Sequence, residues 1–346
     1  MDLTEQKEFK LLIKRFVSDC NLPISVYDPK VFDYLVRLYE EDYRSLTKWN
    51  NLCKLIECEF DGNIHAFLEK YYEVRENVIN NLKGALNLVE PDIIINIKNG
   101  IPKNRDKYTQ ETVGKSFISV DLTKANFQIC QLFSNPKLVY GSFSNISEAY
   151  DKWISEYTDM DYIKESKYFR QVVFGNCNVK EQVRLMNYQM QIILSMFTGA
   201  FREDGFELFS LTTDELIFKF NPDGKSLNRI SEGLSRLKEA LWNFYTVDVK
   251  TELYTVDNLF VVEDGFNDGD RVFPFYVKKN MITLEEKLVK VPGVYFAQVY
   301  KIFKGMPVND IDTCFYYEHR LANFSKKFVG ISAAYVDMAN LTLCLK

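Results

Sequence analysis

Residues 206–220 read Phe206-Glu-Leu-Phe-Ser-Leu-Thr-Thr-Asp-Glu-Leu-Ile-Phe-Lys-Phe220. Two short apolar runs flank the polar Thr212-Thr-Asp-Glu215, a pattern typical of a β-hairpin with a tight turn. Upstream, Ser116-Phe-Ile-Ser-Val-Asp-Leu122 is a third short apolar run, and it predicts a strand that ends at an acid, Asp121. The three runs together predict a sheet that carries carboxylates where its strands end.

Helices and further strands are predicted around this hairpin. A long amphipathic helix precedes it, from Val179 to Phe201, and a second helix follows it, from Lys225 to Tyr245. Three more strand-like runs lie beyond this helix, at residues 247–254, 258–262 and 272–278. This order predicts an α+β fold in which helices cover one face of a largely antiparallel sheet.

The N-terminal part of the chain predicts a helical region instead. Apolar residues recur three and four positions apart in four stretches: 6–17, 29–43, 46–60 and 65–82. A polar and charged stretch, residues 98–115, separates this region from the first predicted strand. We interpret that stretch as a linker or exposed loop.

Composition excludes a disordered chain, and the distribution of charge bears on nucleic-acid binding. The 346 residues are 47% hydrophobic and 15% aromatic, which is ample for a packed core. The net charge of −5 argues, as an average, against a protein wrapped in nucleic acid. Residues 271–346, however, hold 11 basic and six acidic residues, a net charge of +5 that leaves −10 for the rest. The basic C-terminal segment suits a surface that grips a nucleic-acid strand.

Cysteine usage and hydropathy predict a soluble, cytoplasmic protein. The seven cysteines are scattered, with no C-x-x-C pair, so reduced thiols are expected. No signal-peptide pattern and no apolar run of membrane-spanning length occurs, so no membrane partner is expected. Abundant Asn and Lys, with only 15 Gly and nine Pro, are typical of an AT-rich coding source, such as a virus or phage whose protein acts in the host cytoplasm.

Asp121 and Asp214 are the main candidate site residues. If their strands lie side by side, the two carboxylates lie a few ångströms apart, and like charges that close need a cation. Oxygen ligands suit Mg²⁺ or Mn²⁺, and two-metal phosphoryl transfer uses such a pair. Both residues are therefore predicted metal ligands and catalytic residues, with Glu215 in support. Taken alone, the Asp-Glu pair is also explained by an ordinary solvated turn.

Between the two acids, Lys164-Glu-Ser-Lys-Tyr-Phe-Arg-Gln-Val-Val-Phe-Gly-Asn176 predicts a helix with one basic and aromatic face. Lys167, Arg170 and Phe174 follow at i, i+3 and i+7, so they share that face. Two cations and a ring suit a triphosphate and a stacked base, and we predict that these three residues bind nucleotide. An amphipathic helix with exposed basic residues explains the same spacing.

Three segments resemble the conserved motifs of family A DNA polymerases, in the order found in that family. Ser119-Val-Asp-Leu-Thr-Lys-Ala-Asn-Phe-Gln128 resembles the first motif, a strand-end Asp followed by a helix. Arg170-x-x-x-Phe174-Gly175 is similar to the second, the fingers helix. Leu211-Thr-Thr-Asp-Glu-Leu-Ile-Phe218 resembles the third, an Asp-Glu pair in a β-hairpin before an apolar strand. The resemblance covers residues 115–220 only.

The sequence departs from the family's pattern at three positions. The His that usually precedes the Asp-Glu pair is Thr213, and Asn178 lies near the place of an expected Tyr. The Glu that helps the family to exclude ribose is replaced by Asn126, so the choice of sugar stays open. The resemblance implies that the backbone after Asp121 approaches the triphosphate and that Asn126 or Gln128 contacts the sugar. Short acidic motifs of this kind also occur in family B polymerases and reverse transcriptases, so "polymerase-like palm" is the broader description.

The resemblance implies a metal-dependent nucleotidyltransferase, a compact polymerase-like enzyme that adds nucleotides to a 3′-hydroxyl. Its partners would be nucleoside triphosphates and a DNA or RNA template or primer. Its parts would be a helical N-terminal domain (1–98), a palm-like catalytic domain (115–262) with a reduced fingers element (about 160–180), and a basic thumb-like segment (271–346). The alternative is a catalytically inactive palm-fold protein that acts as a nucleic-acid-binding or assembly subunit.

Overall fold

The computed structural model describes residues 3–89, 102–202, 204–222, 227–266, 269–317, 320–323 and 328–331. It shows the predicted α+β class. The chain divides into two units, each discontinuous in sequence. The central unit comprises His65–Lys107 and Lys115–Leu253, and the terminal unit comprises Met1–Ile64, Tyr108–Gly114 and Tyr254–Lys346.

The helical stretches predicted near the N-terminus are confirmed. Residues 29–43, predicted as one helix, form two, because the backbone at Tyr39 leaves the helical conformation (φ −95°, ψ 11°). Among the described residues, no helix combines the length and the apolarity needed to cross a membrane. The helices of the described residues are α1 (Leu3–Asp19), α2 (Pro29–Leu38), α3 (Glu40–Tyr43), α4 (Ser45–Phe60), α5 (Ile64–Ala85), α6 (Ala125–Phe133), α7 (Ile146–Ile154), α8 (Asp161–Glu165), α9 (Lys167–Gly175), α10 (Val179–Ala200), α11 (Leu227–Tyr245) and α12 (Phe296–Phe303).

The strands follow the predicted order with one difference. Two strands are predicted, at residues 247–254 and 258–262. Residues 249–254 and 258–262 belong to one long strand, because no residue between them breaks the pairing with the next strand, and residues 247 and 248 precede it. The strands of the described residues are β1 (Ser116–Leu122), β2 (Glu207–Leu211), β3 (Glu215–Phe220), β4 (Val249–Phe266), β5 (Gly269–Asn280), β6 (Glu286–Val289), β7 (Cys314–Tyr317), β8 (Arg320–Asn323) and β9 (Phe328–Ile331).

In the central unit the strand order is β2-β3-β1-β4. The predicted hairpin is confirmed: β2 and β3 pair antiparallel, with Leu211 opposite Leu216. Strand β1 also pairs antiparallel with β3, in a register that runs from Ser116 opposite Phe220 to Asp121 opposite Glu215. Every residue of β1 is buried except Asp121. Strand β1 is therefore a buried, mostly apolar strand whose one acid, Asp121, is partly exposed.

Helix α10 packs against β3 through stacked aromatic rings. The rings of Phe197 and Phe218 lie nearly parallel, with 3.8 Å between their centroids. Phe201 extends the cluster, at 4.7 Å from Phe197 and 5.3 Å from Phe206. Aromatic pairs bury a large apolar area and add attraction between the rings, so this cluster fixes the hairpin against the helix.

The predicted linker is in part paired with the sheet of the central unit. The Leu211 N–H donates to the Pro102 carbonyl at 2.9 Å, and the Asn104 N–H donates to the Leu211 carbonyl at 3.0 Å. Strand β2 lies at the end of the strand order, so its outer N–H and C=O groups are open to such partners. Residues 102–107 are therefore fixed on the hairpin, and residues 98–101 lie outside the described residues.

The terminal unit has a core of its own. The rings of Phe16, Phe32 and Trp49, from α1, α2 and α4, meet edge to face at centroid distances of 4.8 to 6.0 Å. Strand β4 pairs with β5 and β9, and β5 pairs with β6. A buried ion pair joins Lys301 of α12 to Asp312, with 2.9 Å between Nζ and Oδ2. Buried charges need such partners, because an unpaired charge is costly away from water.

The three consecutive domains predicted from the sequence do not coincide with these two units. The predicted N-terminal domain, residues 1–98, divides at Ile64, so that α5 groups with the central sheet. Residues 254–262, assigned to the palm-like domain, group with the terminal unit. Local sequence patterns relate residues that are close together in the chain, whereas the terminal unit is built from segments that are far apart in sequence.

Gly233 of α11 allows the close approach of Phe201. A Cβ at this position would lie 2.7 Å from Cε1 of the Phe201 ring, inside van der Waals contact. Because Phe197 and Phe206 hold that ring, Gly233→Ala is expected to lower the free energy of unfolding by about 1–3 kcal/mol, as overpacking does. Urea unfolding measures this change.

Gly199→Ala in α10 is the matched control, since a Cβ there meets nothing within 4 Å. It is expected to be neutral or to stabilise by up to about 1 kcal/mol, from helix propensity. Equal effects of the two substitutions would contradict the packing described here.

Candidate active site

Strands β1 and β3 bring the predicted acidic residues together. Asp121 lies directly opposite Glu215 in the antiparallel register. The Leu122 N–H donates to the Asp214 carbonyl at 2.9 Å, so the pairing continues past the strand end into the turn. Neighbouring residues on paired strands have Cβ atoms about 5 Å apart. The three acids therefore lie at one end of the same strand pair.

Thr212 fixes the turn that carries Asp214. Its N–H donates to the Glu215 carbonyl at 2.9 Å, and its hydroxyl accepts from the Glu215 N–H at 3.0 Å. The same hydroxyl lies 3.4 Å from Oδ1 of Asp214. A short polar side chain that bonds the backbone in this way is a common turn device, and here it limits the motion of the carboxylate.

Asp121 is held in an environment that disfavours its charge. Burial is the largest cause, followed by the charges of Asp214 and Glu215, and the pKa of the Asp121 carboxyl is raised from the ordinary 3.8 to about 6. Lys250 and Lys107 act in the opposite direction. A carboxyl that feels two neighbouring carboxylates is a group that a cation would stabilise in its charged form.

Glu215 is neutralised within the protein. The Lys107 ammonium donates to both of its oxygens, at 2.7 and 2.6 Å. The Ser119 hydroxyl donates to Oε1 at 2.6 Å. Both side chains of the ion pair are mostly buried, at 21% and 17% exposure, so the pair is weakly screened by water. Glu215 is thus the ion-pair partner of Lys107. Asp121 and Asp214 are the two carboxylates that are candidates for binding a cation.

A group of cations, Lys124, Arg170 and Lys250, is linked to the acids through Lys250, whose charge acts both on Asp121 and on Lys124. Lys124 follows β1 in the left-handed conformation (φ +47°), with its ammonium 4.8 Å from the centre of the Tyr150 ring. The Arg170 guanidinium approaches the same ring at 5.3 Å. Burial is the largest cause that lowers the pKa of the Lys124 ammonium; Arg170 and Lys250 act in the same direction, and Asp151 and Asp248 act against it. A cation whose charged form is disfavoured in this way would be stabilised by a bound anion.

Gln128 fixes the helix that follows Asp121. Its amide oxygen accepts from the Asp248 N–H at 2.6 Å, and its amide nitrogen donates to the Asp248 carbonyl at 3.1 Å. The Thr123 N–H donates to the same carbonyl at 3.0 Å. These bonds tie α6 and the turn before it to the start of β4, the strand that carries Lys250.

An open cleft of about 240 Å³ lies beside Asp214. Residues from all three polymerase-like segments line it: Asn126, Phe174, Gly175, Thr213 and Asp214. Another wall, formed by α10, is mostly apolar and also includes Gln182. That wall includes Val179, Val183 and Met186, of which the two valines are 49% and 39% exposed.

The structure places the predicted nucleotide-binding residues in different surroundings. Arg170 lies in the cation group, and Asn126 lines the cleft. Lys167 is exposed one turn before Arg170. Gln128 is 0% exposed, with its amide committed to the backbone, so the predicted contact with a sugar is wrong for this conformation.

Phe174 also requires a correction. Its ring is 0% exposed, with Phe127 at 6.0 Å and Trp153 at 5.3 Å between ring centroids. It therefore packs in the core, and the predicted stacking on a base has no exposed ring face to use. The spacing of Lys167, Arg170 and Phe174 is compatible with a shared face of the helix. Phe174 is the member that is buried, because burying a Phe side chain is favourable and burying a charged side chain is costly.

The sequence reading missed four charged or polar groups of the site. Ser119 and Lys124 lie inside the first polymerase-like segment, and Ser119 shares the face of Asp121 because residues two apart in a strand point the same way. Lys107 and Lys250 gave no local signal. The position of Lys107 follows from the pairing of residues 102–104 with β2, and that of Lys250 from the pairing of β4 with β1, which only the fold supplies.

The donor set at Asp121 and Asp214 suits Mg²⁺ or Mn²⁺. Mg²⁺ is usually held by one or two carboxylates, with waters and substrate phosphates completing its ligands. The raised pKa of Asp121 marks the point where added positive charge is most favourable. Among the residues that the structure describes, no three His, Cys, Asp or Glu side chains converge as a metal-ligand set, so a divalent ion here would depend on these two carboxylates.

Comparisons with protein-family models, with curated proteins and with solved structures find no match to this chain. No family, relative or structural neighbour therefore indicates an activity. The resemblance to polymerases stays a prediction.

The raised pKa of Asp121 makes stability depend on pH. Its native pKa of about 6 lies above the ordinary 3.8, so the native state keeps a proton that the unfolded state releases in this range. Stability therefore falls as the pH rises from about 4 to about 6. Asp121→Asn is expected to raise the free energy of unfolding by about 1–3 kcal/mol at about pH 7.5 and to have little effect at about pH 4, as measured by urea unfolding at both values.

Asp159→Asn is the matched control, because Asp159 is an exposed acid of the same unit. Its effect is expected to be small at both pH values. A destabilising Asp121→Asn substitution at about pH 7.5 would contradict the electrostatic strain assigned to this carboxyl.

Proposed function

We propose that this protein is a metal-dependent nucleotidyltransferase, a polymerase-like enzyme that transfers a nucleotide to a 3′-hydroxyl. The observation that carries the proposal is the pairing of Asp121 with the Asp214–Glu215 turn, beside the cations Lys124 and Arg170. A carboxylate pair next to a cation group suits a substrate that is a polyphosphate bound with a divalent metal ion. Nucleoside triphosphates have this chemistry.

Each group has a role in that reaction. Asp121 and Asp214 would hold Mg²⁺ or Mn²⁺, which supplies activation of the attacking hydroxyl and neutralisation of developing phosphate charge when bound. Lys124, Arg170 and Lys250 would stabilise the negative charge of the transferred and leaving phosphates, and Lys124 and Arg170 lie against the Tyr150 ring before the substrate arrives. Glu215 orients the strand pair through Lys107 and Ser119.

The cleft beside Asp214 is the proposed place of the nucleoside. Its apolar wall on α10 suits the face of a base, and its polar side offers Asn126 and Thr213 to the sugar. Neither residue is acidic, and Asp214 also lines the cleft, so the choice between ribose and deoxyribose stays open. Nucleotide incorporation should therefore be measured with ribonucleotides and with deoxyribonucleotides in separate reactions.

A palm-fold protein that binds nucleic acid without catalysis is the second candidate. The burial of Phe174 and Gln128 favours it, because these two positions serve the core and leave the predicted nucleotide contacts unmade. The two candidates share the binding surface and differ in turnover.

Incorporation of labelled nucleotide with Mg²⁺ or Mn²⁺, on primed and unprimed templates, tests the enzyme directly. Asp121→Ala and Asp214→Ala are each expected to lower the rate by about 100-fold or more, the scale on which one electrostatic group acts in a transition state. Asp159→Ala should retain the wild-type rate. Full activity of either site variant would show the assignment to be wrong, and an inactive wild-type protein would favour the second candidate.

Arg170 and Lys167 provide a second comparison within one helix. Arg170 lies against Tyr150 in the cation group, whereas Lys167 is exposed one turn away. Arg170→Ala is expected to raise the KM for the nucleoside triphosphate by about tenfold, the value of one charge-assisted contact. Lys167→Ala should change KM less than threefold or so by the same reasoning. Steady-state kinetics with the order reversed would contradict the proposed phosphate site.

A further inference from the structure

The ion pair between Lys107 and Glu215 places a cation of the protein itself among the acids of the candidate active site. The Lys107 ammonium contacts both oxygens of Glu215, at 2.7 and 2.6 Å. A carboxylate can also give its oxygens to a metal ion. The charge of the same ammonium acts on Asp121, where it favours the ionised carboxylate. Lys107 therefore acts on two of the three acids as a bound positive ion would.

Glu215 and Asp121 share one face of the strand pair. They lie directly opposite each other in the antiparallel register, so their side chains leave the sheet on the same side, with Cβ atoms about 5 Å apart. Ser119, two residues before Asp121, points to this face as well, and its hydroxyl donates to Oε1 of Glu215 at 2.6 Å. Glu215 is thus a neighbour of Asp121 whose oxygens are engaged by Lys107 and Ser119.

Lys107 reaches Glu215 from a segment outside the strand pair. This segment is anchored on β2 at Arg105, whose N–H donates to the Ser210 hydroxyl at 2.9 Å. The Arg105 guanidinium also lies 4.4 Å from the centre of the Phe209 ring. These contacts hold the backbone two residues before Lys107. A lysine side chain is a flexible four-carbon stem, so its ammonium can leave Glu215 without a movement of β1 or β3.

One ammonium does not balance the three acids. The charges of Asp214 and Glu215 still disfavour the ionised form of Asp121, although Lys250 and Lys107 act against them. A divalent ion carries twice the charge of an ammonium, and oxygens of several carboxylates can bind it together. Such an ion at the two aspartates would therefore compete with Lys107 for Glu215.

We propose that Lys107 is an internal counter-ion that competes with a divalent ion for Glu215: an ion at Asp121 and Asp214 displaces the ammonium and takes Glu215 as a third carboxylate ligand. The inference deepens the proposed function, on which it rests for the ion at the two aspartates. The ion pair then regulates the site, because it must open before the set of ligands is complete.

Mn²⁺ binding to the full chain, measured by titration calorimetry without nucleotide at about pH 7.5, tests the competition. Lys107→Met removes the charge, and it is expected to bind Mn²⁺ at least about tenfold more tightly, since a charge-assisted contact no longer has to be broken. Lys107→Arg keeps a cation and should bind no more tightly than the wild-type protein. Lys107→Met/Glu215→Gln should lose most of the gain, because the gain arises at Glu215.

Lys250→Met is the matched control, because it also removes a cation whose charge acts on Asp121. Of the two lysines, Lys250 has the larger effect on the pKa of Asp121. If the charge on Asp121 alone mattered, Lys250→Met would gain at least as much Mn²⁺ affinity as Lys107→Met. Competition at Glu215 predicts the larger gain for Lys107→Met.

Acetylation of the lysines reports the displacement itself, in the wild-type chain and without a variant that could fail to fold. The Lys107 side chain is 21% exposed in its ion pair. Its reaction with limiting acetic anhydride, followed by mass spectrometry, is expected to rise several-fold when saturating Mg²⁺ is added, because the released ammonium is more accessible. The exposed Lys167 is the internal reference and should react at the same rate with and without Mg²⁺. Asp121→Ala should abolish the rise at Lys107.

The inference would be overturned by a Lys107→Met protein that binds Mn²⁺ no more tightly than Lys250→Met, or by a gain that survives Glu215→Gln. Acetylation of Lys107 that saturating Mg²⁺ leaves unchanged would also overturn it, as would the absence of Mn²⁺ binding in both the wild-type protein and Lys107→Met.

Failure of the proposed function is distinguishable from failure of this inference, because every readout here uses the metal ion alone. If Asp121→Ala keeps full nucleotide incorporation, the proposed activity is assigned to the wrong residues. A gain of Mn²⁺ affinity in Lys107→Met that depends on Glu215 would still support the competition.

Discussion

The arrangement of the three acids in the candidate active site depends on the register between β1 and β3. With Asp121 opposite Glu215, the next hydrogen bond joins Leu122 to Asp214, and the turn is drawn against the end of β1. A shift of one residue would turn each side chain to the other face of the sheet and send Asp121 into the core. Every residue of β1 except Asp121 is buried, so a shifted register would require repacking on both faces of the strand.

The register brings three carboxylates close together. The surrounding residues neutralise the charge of Glu215, but the charged form of Asp121 stays disfavoured. Glu215 receives Lys107 and the Ser119 hydroxyl, while Asp121 retains a pKa of about 6. On the other side, the pKa of Lys124 is lowered by burial and by neighbouring cations. Opposed groups of like charge, each disfavoured in the free protein, are typical of functional sites. A metal ion bound with a polyphosphate would satisfy both groups together.

The sequence predicts the local elements of this fold well and its long-range arrangement poorly. The hairpin, β1 and α10 follow from alternating and helical patterns that act over a few residues. The same patterns place Asp121 near the end of a strand and Asp214 in a hairpin turn, but their adjacency requires the pairing of β1 with β3, which the structure supplies. The roles of Lys107 and Lys250 depend on which strands pair, and no local pattern states that. The prediction for Phe174 failed for a different reason. Helical spacing shows which residues share a face of the helix, but it does not show which of them are buried in the core.

The central claim is that Asp121 and Asp214 form a divalent-cation site, and Mn²⁺ binding tests it most directly. Titration calorimetry or the EPR signal of free Mn²⁺ would report the affinity of the wild-type protein at about pH 7.5 and about pH 5. We predict binding at the higher pH that weakens as Asp121 takes up its proton, since metal ligands must be deprotonated. Asp121→Asn and Asp214→Asn should each lose most of this binding, while Asp159→Asn keeps it. Equal Mn²⁺ affinity in all four proteins would contradict the account.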